Sequence, residues 1–187
     1  MKLLLIAGSA RSGALSVKLR DAARAVADAA GAETSVLDLR ELALPLYDGD
    51  IEAGQGLPAG VATLRDAIAA HDALVIVTPE YNGLPTPLLI NAFDWLSRLK
   101  DGLATTADKP AALLASSPGA LGGLRALNYL RQYLQMAFQM LVVPQQQAVV
   151  RAHEAFAADG SLADAKAAAM LAGVVNAVLK LAAQRRS

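Results

Sequence analysis

The chain has 187 residues, the length of one ordinary domain, and is expected to fold as a single domain over residues 1–187 that buries about 70% of the surface its unfolded form exposes. Its 17 basic residues balance 17 acidic ones, so no net field draws it to nucleic acid or to an anionic membrane, and its partners are expected to be small molecules or copies of itself. The absence of cysteine excludes disulfides, thiolate metal sites, iron–sulfur clusters and cysteine nucleophiles, and the two histidines, His71 and His153, show no ligand spacing that would imply a metal.

Strand-like and helix-like segments alternate along the chain, the pattern of parallel strands joined by helical crossovers. Leu3 to Ala7 is a short apolar run, followed by a helix from Leu15 to Ala30 whose Leu15, Leu19, Ala22, Ala23 and Val26 share one face. Thr34 to Leu39 is the second strand. The connection from Leu42 to Pro58 is long and rich in glycine and proline, the kind that often carries function. Val61 to Ala70 is a modest helix, and Ala73 to Val77 is a β-branched run suited to the centre of the sheet.

Thr78-Pro79 ends that strand, and Pro87 fits the first position of a helix capped by Thr86, with Trp95 on its core side. Ala111 to Ala115 is the fourth strand, with a helix after it from about Leu121 to Met140. The fifth strand is either Leu141 to Val143 or mainly Gln147 to Val150, because the glutamines between are poor strand residues. A helix from Leu162 to Gln184 closes the pattern. The longest uncharged stretch, between Arg131 and Arg151, holds six glutamines and Pro144 and does not read as a membrane span, so a cytoplasmic protein is expected.

Ligands of open parallel sheets sit beyond the carboxyl ends of the strands. Three segments there carry unusual chemistry. Gly8 to Ser16 combines hydroxyls, glycines and Arg11 before a helix N-terminus, where free N–H groups, the helix dipole and a guanidinium together suit a phosphate. It is neither a P-loop nor the G-x-G-x-x-G fingerprint of dinucleotide-binding folds. After strand three, Pro79-Glu80-Tyr81-Asn82 offers backbone polar groups along which a planar ring can lie. Asn91 and Asp94, on the next helix, are expected to cap or brace the loop before it. After strand four, Ser116 to Gly123 is glycine-rich and again precedes a helix, whose dipole is placed to stabilise negative charge at a second point of the same ligand.

Taken together, Gly8-Ser9-x-Arg11, Pro79-Glu80-Tyr81-Asn82, Asn91-Ala92-x-Asp94-Trp95 and Gly122-Gly123 resemble the NADPH-dependent FMN reductase family, in the family's order and spacing. The resemblance implies an α/β, flavodoxin-like three-layer sandwich: a five-stranded parallel sheet in the order 2-1-3-4-5 with helices on both faces. It implies FMN at the tips of strands one, three and four, with NADPH or NADH as hydride donor, and homodimers that can pair into homotetramers. Carried over by motif, Ser9, Arg11 and Ser16 hold the phosphate, Pro79, Glu80, Tyr81 and Asn82 line the isoalloxazine, and Ser117, Pro118 and Gly119 face its pyrimidine side. Gly122 and Gly123 support that last loop.

Ala14 and Ser16 stand where many relatives have a hydroxyl and an asparagine, so the phosphate grip is expected to be weaker. Ile90 replaces a usual lysine, and Pro85-Thr86-Pro87 displaces the usual proline-glycine.

The implied activity is a ping-pong transfer of hydride from the nicotinamide through flavin N5 to quinones or similar acceptors, among them azo compounds, chromate and free flavin. No side chain is required as nucleophile or general acid–base, since the flavin carries the chemistry. The competing readings are an electron carrier of flavodoxin type, usually strongly acidic as this chain is not, and a non-catalytic flavin-binding module. Leu130, Leu134, Ala137 and Leu141 form an apolar stripe, joined by Tyr129 and Tyr133, that suits either a subunit interface or packing on the sheet, and the Leu42 to Pro58 connection of a neighbouring subunit is expected to cover the flavin.

Overall fold

Five apolar runs become five strands in the computed structural model, which describes residues 1–186: β1 (Lys2–Ala7), β2 (Glu33–Asp38), β3 (Ala73–Pro79), β4 (Pro110–Ser116) and β5 (Leu141–Val149). All neighbouring pairs are parallel and the order is β2-β1-β3-β4-β5, as the resemblance implies. Parallel strands need crossovers, and these run through α1 (Leu15–Ala29), α3 (Ala59–Ala70), α4 (Pro87–Leu96) and α6 (Leu124–Ala137), with α7 (Ala165–Arg186) following β5. Two short helices, α2 (Gly49–Gln55) and α5 (Gly102–Thr106), lie in the long connection after β2 and in the segment before β4, where the sequence pattern assigns no helix.

The strands alternate their side chains between two cores, and both are apolar because helices cover both faces. Leu4, Ile6, Leu74, Ile76 and Leu113 pack with α3, α4 and α6 on one side. Leu3, Leu5, Val75, Val77 and Leu114 pack with α1 and α7 on the other. The span Ala165–Arg185 is long and apolar enough to cross a membrane, yet it lays Leu171, Val174, Val175 and Val178 on this second core.

The two alternatives for the fifth strand are halves of one strand. Its register slips between Ala111, which pairs with Val142, and Leu113, which pairs with Gln146, so the residues around Pro144 bulge out of the ladder. The glutamines are accommodated by specific partners: Arg131 donates to Gln146 Oε1 at 2.9 and 3.1 Å, and Gln147 Nε2 donates to the Ala167 carbonyl at 2.9 Å.

Helix α6 starts three residues later than its sequence pattern suggests. Gly122 and Gly123 hold φ of +61° and +95°, and a Cβ at Gly122 would lie 2.7 Å from the Val149 and Val150 backbone. Only glycine fits, and the loop after β4 is thereby pressed against the end of β5.

The proposed interface stripe is corrected by the same helix. Leu130 and Leu134 are fully buried beneath α6 in the first core, because that face of the helix is the one the sheet needs to cover.

Asn91 and Asp94 also act elsewhere than expected. Asn91 donates to the Pro45 carbonyl at 2.8 Å and accepts from the Tyr47 N–H at 2.7 Å, while Trp95 Nε1 donates to the same carbonyl at 2.8 Å. These bonds pin the long connection after β2, not the loop before α4. Asp94 accepts from the Tyr133 hydroxyl at 2.7 Å and joins α4 to α6; burial and this bond push the Tyr133 hydroxyl up, so it remains a proton donor.

Candidate functional site

The carboxyl ends of β1, β3 and β4 converge on a cavity of about 320 Å³. Its walls include Ser9, Arg11, Ser16, Pro79, Glu80, Tyr81, Ser117 and Pro118, together with Ala14, Leu15 and Ser116. Eight of the ten site residues expected from the sequence are thus brought together; Asn82 and Gly119 sit one residue beyond the lining at either side. Wider hollows exist, about 590 Å³ between α4 and α6, about 620 Å³ beside α1 and about 410 Å³ at the end of β5, but none of these takes lining from the turns after β1 and β4.

The first wall is built by the turn from β1 into α1. Gly8 donates to the Val77 carbonyl at 2.8 Å, and its own carbonyl accepts from Thr86 Oγ1 at 2.5 Å. The Thr86 hydroxyl, expected to cap α4, therefore ties the first wall to the second instead. A Cβ on Gly8 would come 2.8 Å from that oxygen, so the close approach requires glycine. Helix α1 opens after Ala14 with no capping side chain and no acidic residue in its first turn. Its positive end is left to the cavity.

Polar groups at this end are unsatisfied by the protein. The buried hydroxyls of Ser16 and Ser116, both lining the cavity, have no hydrogen-bond partner. An orphaned buried hydroxyl costs about 1–3 kcal/mol, so such groups mark a place where something else completes the bonding. Arg11 is exposed at the rim, and Ser9 Oγ accepts from its backbone N–H at 3.3 Å.

The second wall is a two-residue hairpin. Tyr81 and Leu84 exchange backbone hydrogen bonds of 3.0 Å in both directions, and Asn82 and Gly83 turn the chain with φ of +54° and +89°. Asn-Gly is the pair that a type I′ turn demands. Tyr81 and Leu84 are left about half exposed beside the cavity.

Glu80 lines the cavity but its carboxylate turns away toward α6. Oε1 accepts from two nitrogens of the Arg125 guanidinium and Oε2 from the Ala126 N–H at 3.3 Å. Burial pushes this carboxyl up, yet the Arg125 and Ala126 donors outweigh it and hold the group below the usual carboxylate value. Glu80 stays in the cavity lining, but its carboxylate takes the Ala126 N–H at the positive end of α6, the helix dipole that the sequence assigned to the ligand.

The third wall, Ser117 and Pro118, is held by backbone bonds: Ser117 donates to the Val149 carbonyl at 3.2 Å and accepts from Ala152 at 3.0 Å. Its hydroxyl accepts from the Gly119 N–H at 3.2 Å. Among the described residues no group of three or more histidines and carboxylates gathers as a metal site would. Sequence reasoning missed Arg125, and within the marked Ser116 to Gly123 segment it chose Ser117 and passed over Ser116. Arg125 lies 45 positions from its partner, and Ser116 is one of two adjacent serines indistinguishable by pattern.

A doubly covered parallel sheet in the order 2-1-3-4-5, with an uncapped helix start beside a cavity at its strand ends, defines a protein of flavodoxin-like fold. Residues 1–154 match the family model described as NADPH-dependent FMN reductase, and the chain belongs to that family. It is 40% identical over 135 residues to a quinone reductase of Escherichia coli (strain K12), covering 72% of this chain and 69% of that one. To an NAD(P)H-dependent FMN reductase of Pseudomonas aeruginosa it is 38% identical over 168 residues, covering 89% and 87%. Among solved structures, the flavoenzyme NAD(P)H:(acceptor) oxidoreductase FerB of Paracoccus denitrificans superposes with a TM-score of 0.84 at 32% identity, covering 98% of this chain and 97% of that one. The protein is an NAD(P)H-dependent flavin oxidoreductase, with FMN as its cofactor.

Proposed function

We propose that the cavity at the ends of β1, β3 and β4 is the FMN site of a quinone reductase working as one domain. The observation that carries this reading is the pair of buried, unpartnered hydroxyls, Ser16 and Ser116, that line one cavity together with Arg11. A phosphate beside Ser9, Arg11 and Ser16 would satisfy the uncapped start of α1 and supply an acceptor to the Ser16 hydroxyl. Pro79 to Asn82 supply backbone donors and acceptors to the ring, and Ser117, Pro118 and Gly119 flank its other edge.

When bound, FMN supplies two-electron chemistry between a nicotinamide and an acceptor. The protein holds and orients the cofactor, and it leaves the side by Tyr81 and Leu84 open to flat molecules. A quinone suits that surface: it takes two electrons and two protons to become a hydroquinone, with NAD(P)H and a solvent proton supplying them in a ping-pong order. Azo compounds and free flavin are further acceptors of two electrons and two protons, and chromate, which takes three electrons to reach Cr(III), is an acceptor of a different kind.

The chain is also proposed to act as a homodimer or homotetramer. Leu84, Tyr129 and Met136 are exposed, and with Pro85, Pro87 and Ile90 they form an apolar face over α4 and α6, continuous with the hairpin of the site. Leu46, on the connection pinned at Pro45 and Tyr47, is exposed in the manner of a residue that reaches a neighbour. A cytoplasmic location fits the donor, since NAD(P)H is a cytoplasmic currency. The experiment is steady-state oxidation of NADPH and NADH by the FMN-loaded protein with a benzoquinone: sustained turnover with parallel-line kinetics is expected, and reduction of the flavin without turnover would defeat the reading.

A further inference from the structure

We propose that Arg125 is a positioning residue of the flavin site, acting through Glu80 to hold the Tyr81–Leu84 hairpin in the shape that meets the ring. The proposal rests on the assignment of the cavity to FMN. Arg125 stands in the first turn of α6, outside every segment that the sequence marks as ligand-binding, and it does not line the cavity.

The hairpin cannot hold itself. It has one residue at each strand position, two mutual backbone bonds and a non-glycine residue, Asn82, at positive φ. Turns this small are marginal without external support. Support comes from either side of the turn through one side chain. On the side before the turn, Arg125 Nε donates to Glu80 Oε1 at 3.0 Å, a second guanidinium nitrogen donates to the same oxygen, and the neighbouring Ala126 N–H takes Oε2. Within the turn, Arg125 lies over Gly83, whose missing Cβ would be 3.8 Å from Nε.

The chemistry of Glu80 supports the same assignment. Its side chain is only 7% exposed although it borders an open cavity, and both of its oxygens are committed to α6. An ionised carboxylate has no donor for the flavin's carbonyls, N1 or N5, and Glu80, with both oxygens already accepting from α6, is not left free to accept from the flavin N3–H. What Glu80 gives the site is therefore the placement of the backbone after it. The Arg125 guanidinium is 59% exposed, so its pairing with Glu80 contributes geometry more than burial.

The test compares R125M, R125K, E80Q and the double variant E80Q/R125M with wild type, reading the dissociation constants of FMN and riboflavin by quenching of flavin fluorescence and the visible spectrum of bound FMN. Thermal melting of the flavin-free proteins shows that each is folded. R125M is expected to weaken FMN and riboflavin alike, by about 10-fold, and to shift the bound-flavin bands; R125K restores most of the affinity, and the double variant binds no worse than the weaker single one. Unchanged affinities and spectrum in a folded R125M, or additive losses in the double variant, would overturn the clamp. R11A run in parallel separates the two claims: unimpaired FMN binding in R11A removes the flavin-site assignment, whereas unimpaired binding in R125M with R11A impaired removes the clamp alone.

Discussion

The first and second walls of the cavity are built on opposite principles. In the Gly8 to Ser16 turn key polar groups are left free: α1 has no capping side chain, the Ser16 hydroxyl has no partner and Arg11 stands at the rim. In the Pro79 to Leu84 hairpin the charged group is fully engaged by the protein, with Glu80 bound to Arg125 and Ala126 and the turn closed by its own backbone bonds. On the proposed assignment, the free groups meet the ligand and the engaged groups fix the backbone beside it. Residue type alone does not tell the two apart, since both walls contain charged and hydroxyl or amide side chains, but partner status does.

The contrast can be broken most severely at the backbone that supports it. Gly122→Ala adds a methyl 2.7 Å from the Val149 and Val150 backbone at a positive φ. We expect a loss of about 3 kcal/mol in urea denaturation together with loss of FMN, and a change within about 0.5 kcal/mol would contradict the packing described. Asn91→Ala removes two bonds that pin residues 45 and 47. The expected cost is about 2 kcal/mol, with FMN affinity in the isolated subunit nearly preserved, because these bonds hold the neighbouring connection and not the cavity wall.

Ser16→Ala sharpens the contrast by giving opposite signs to two readouts. Removing an orphaned hydroxyl should leave the melting temperature of the flavin-free protein unchanged or slightly raised, while FMN binds about 5-fold more weakly. A fall in apo stability with unchanged affinity would place Ser16 among the structural residues. The smallest effect is expected from acid. Glu80 has its carboxyl held below the ordinary value of 4.5, so its contribution to stability is complete above that pH and is lost as pH falls through the lowered value. Melting temperature against pH should therefore fall more steeply below 4.5 in wild type than in E80Q.

Much of this was legible because local patterns carry it. The apolar runs of β1, β3 and β4 and the glycine-rich turns after them locate the cavity without any structure, and the strand order follows from the family resemblance. The short helices α2 and α5, of 7 and 5 residues, leave too little periodicity to read. Strand β5 was obscured by its glutamines, whose strand geometry depends on Arg131 and Ala167 far along the chain. The same physical reason hides the roles of Asn91, Asp94 and Glu80: each is defined by a partner 39 to 46 positions away, and nothing near it in sequence shows which one.

The central claim, that the free groups of the first wall grip a phosphate, is tested most directly by the ratio of riboflavin to FMN dissociation constants in wild type and in R11A. A large ratio in wild type that collapses toward one in R11A, through loss of FMN affinity alone, is predicted. An unchanged ratio would contradict the account.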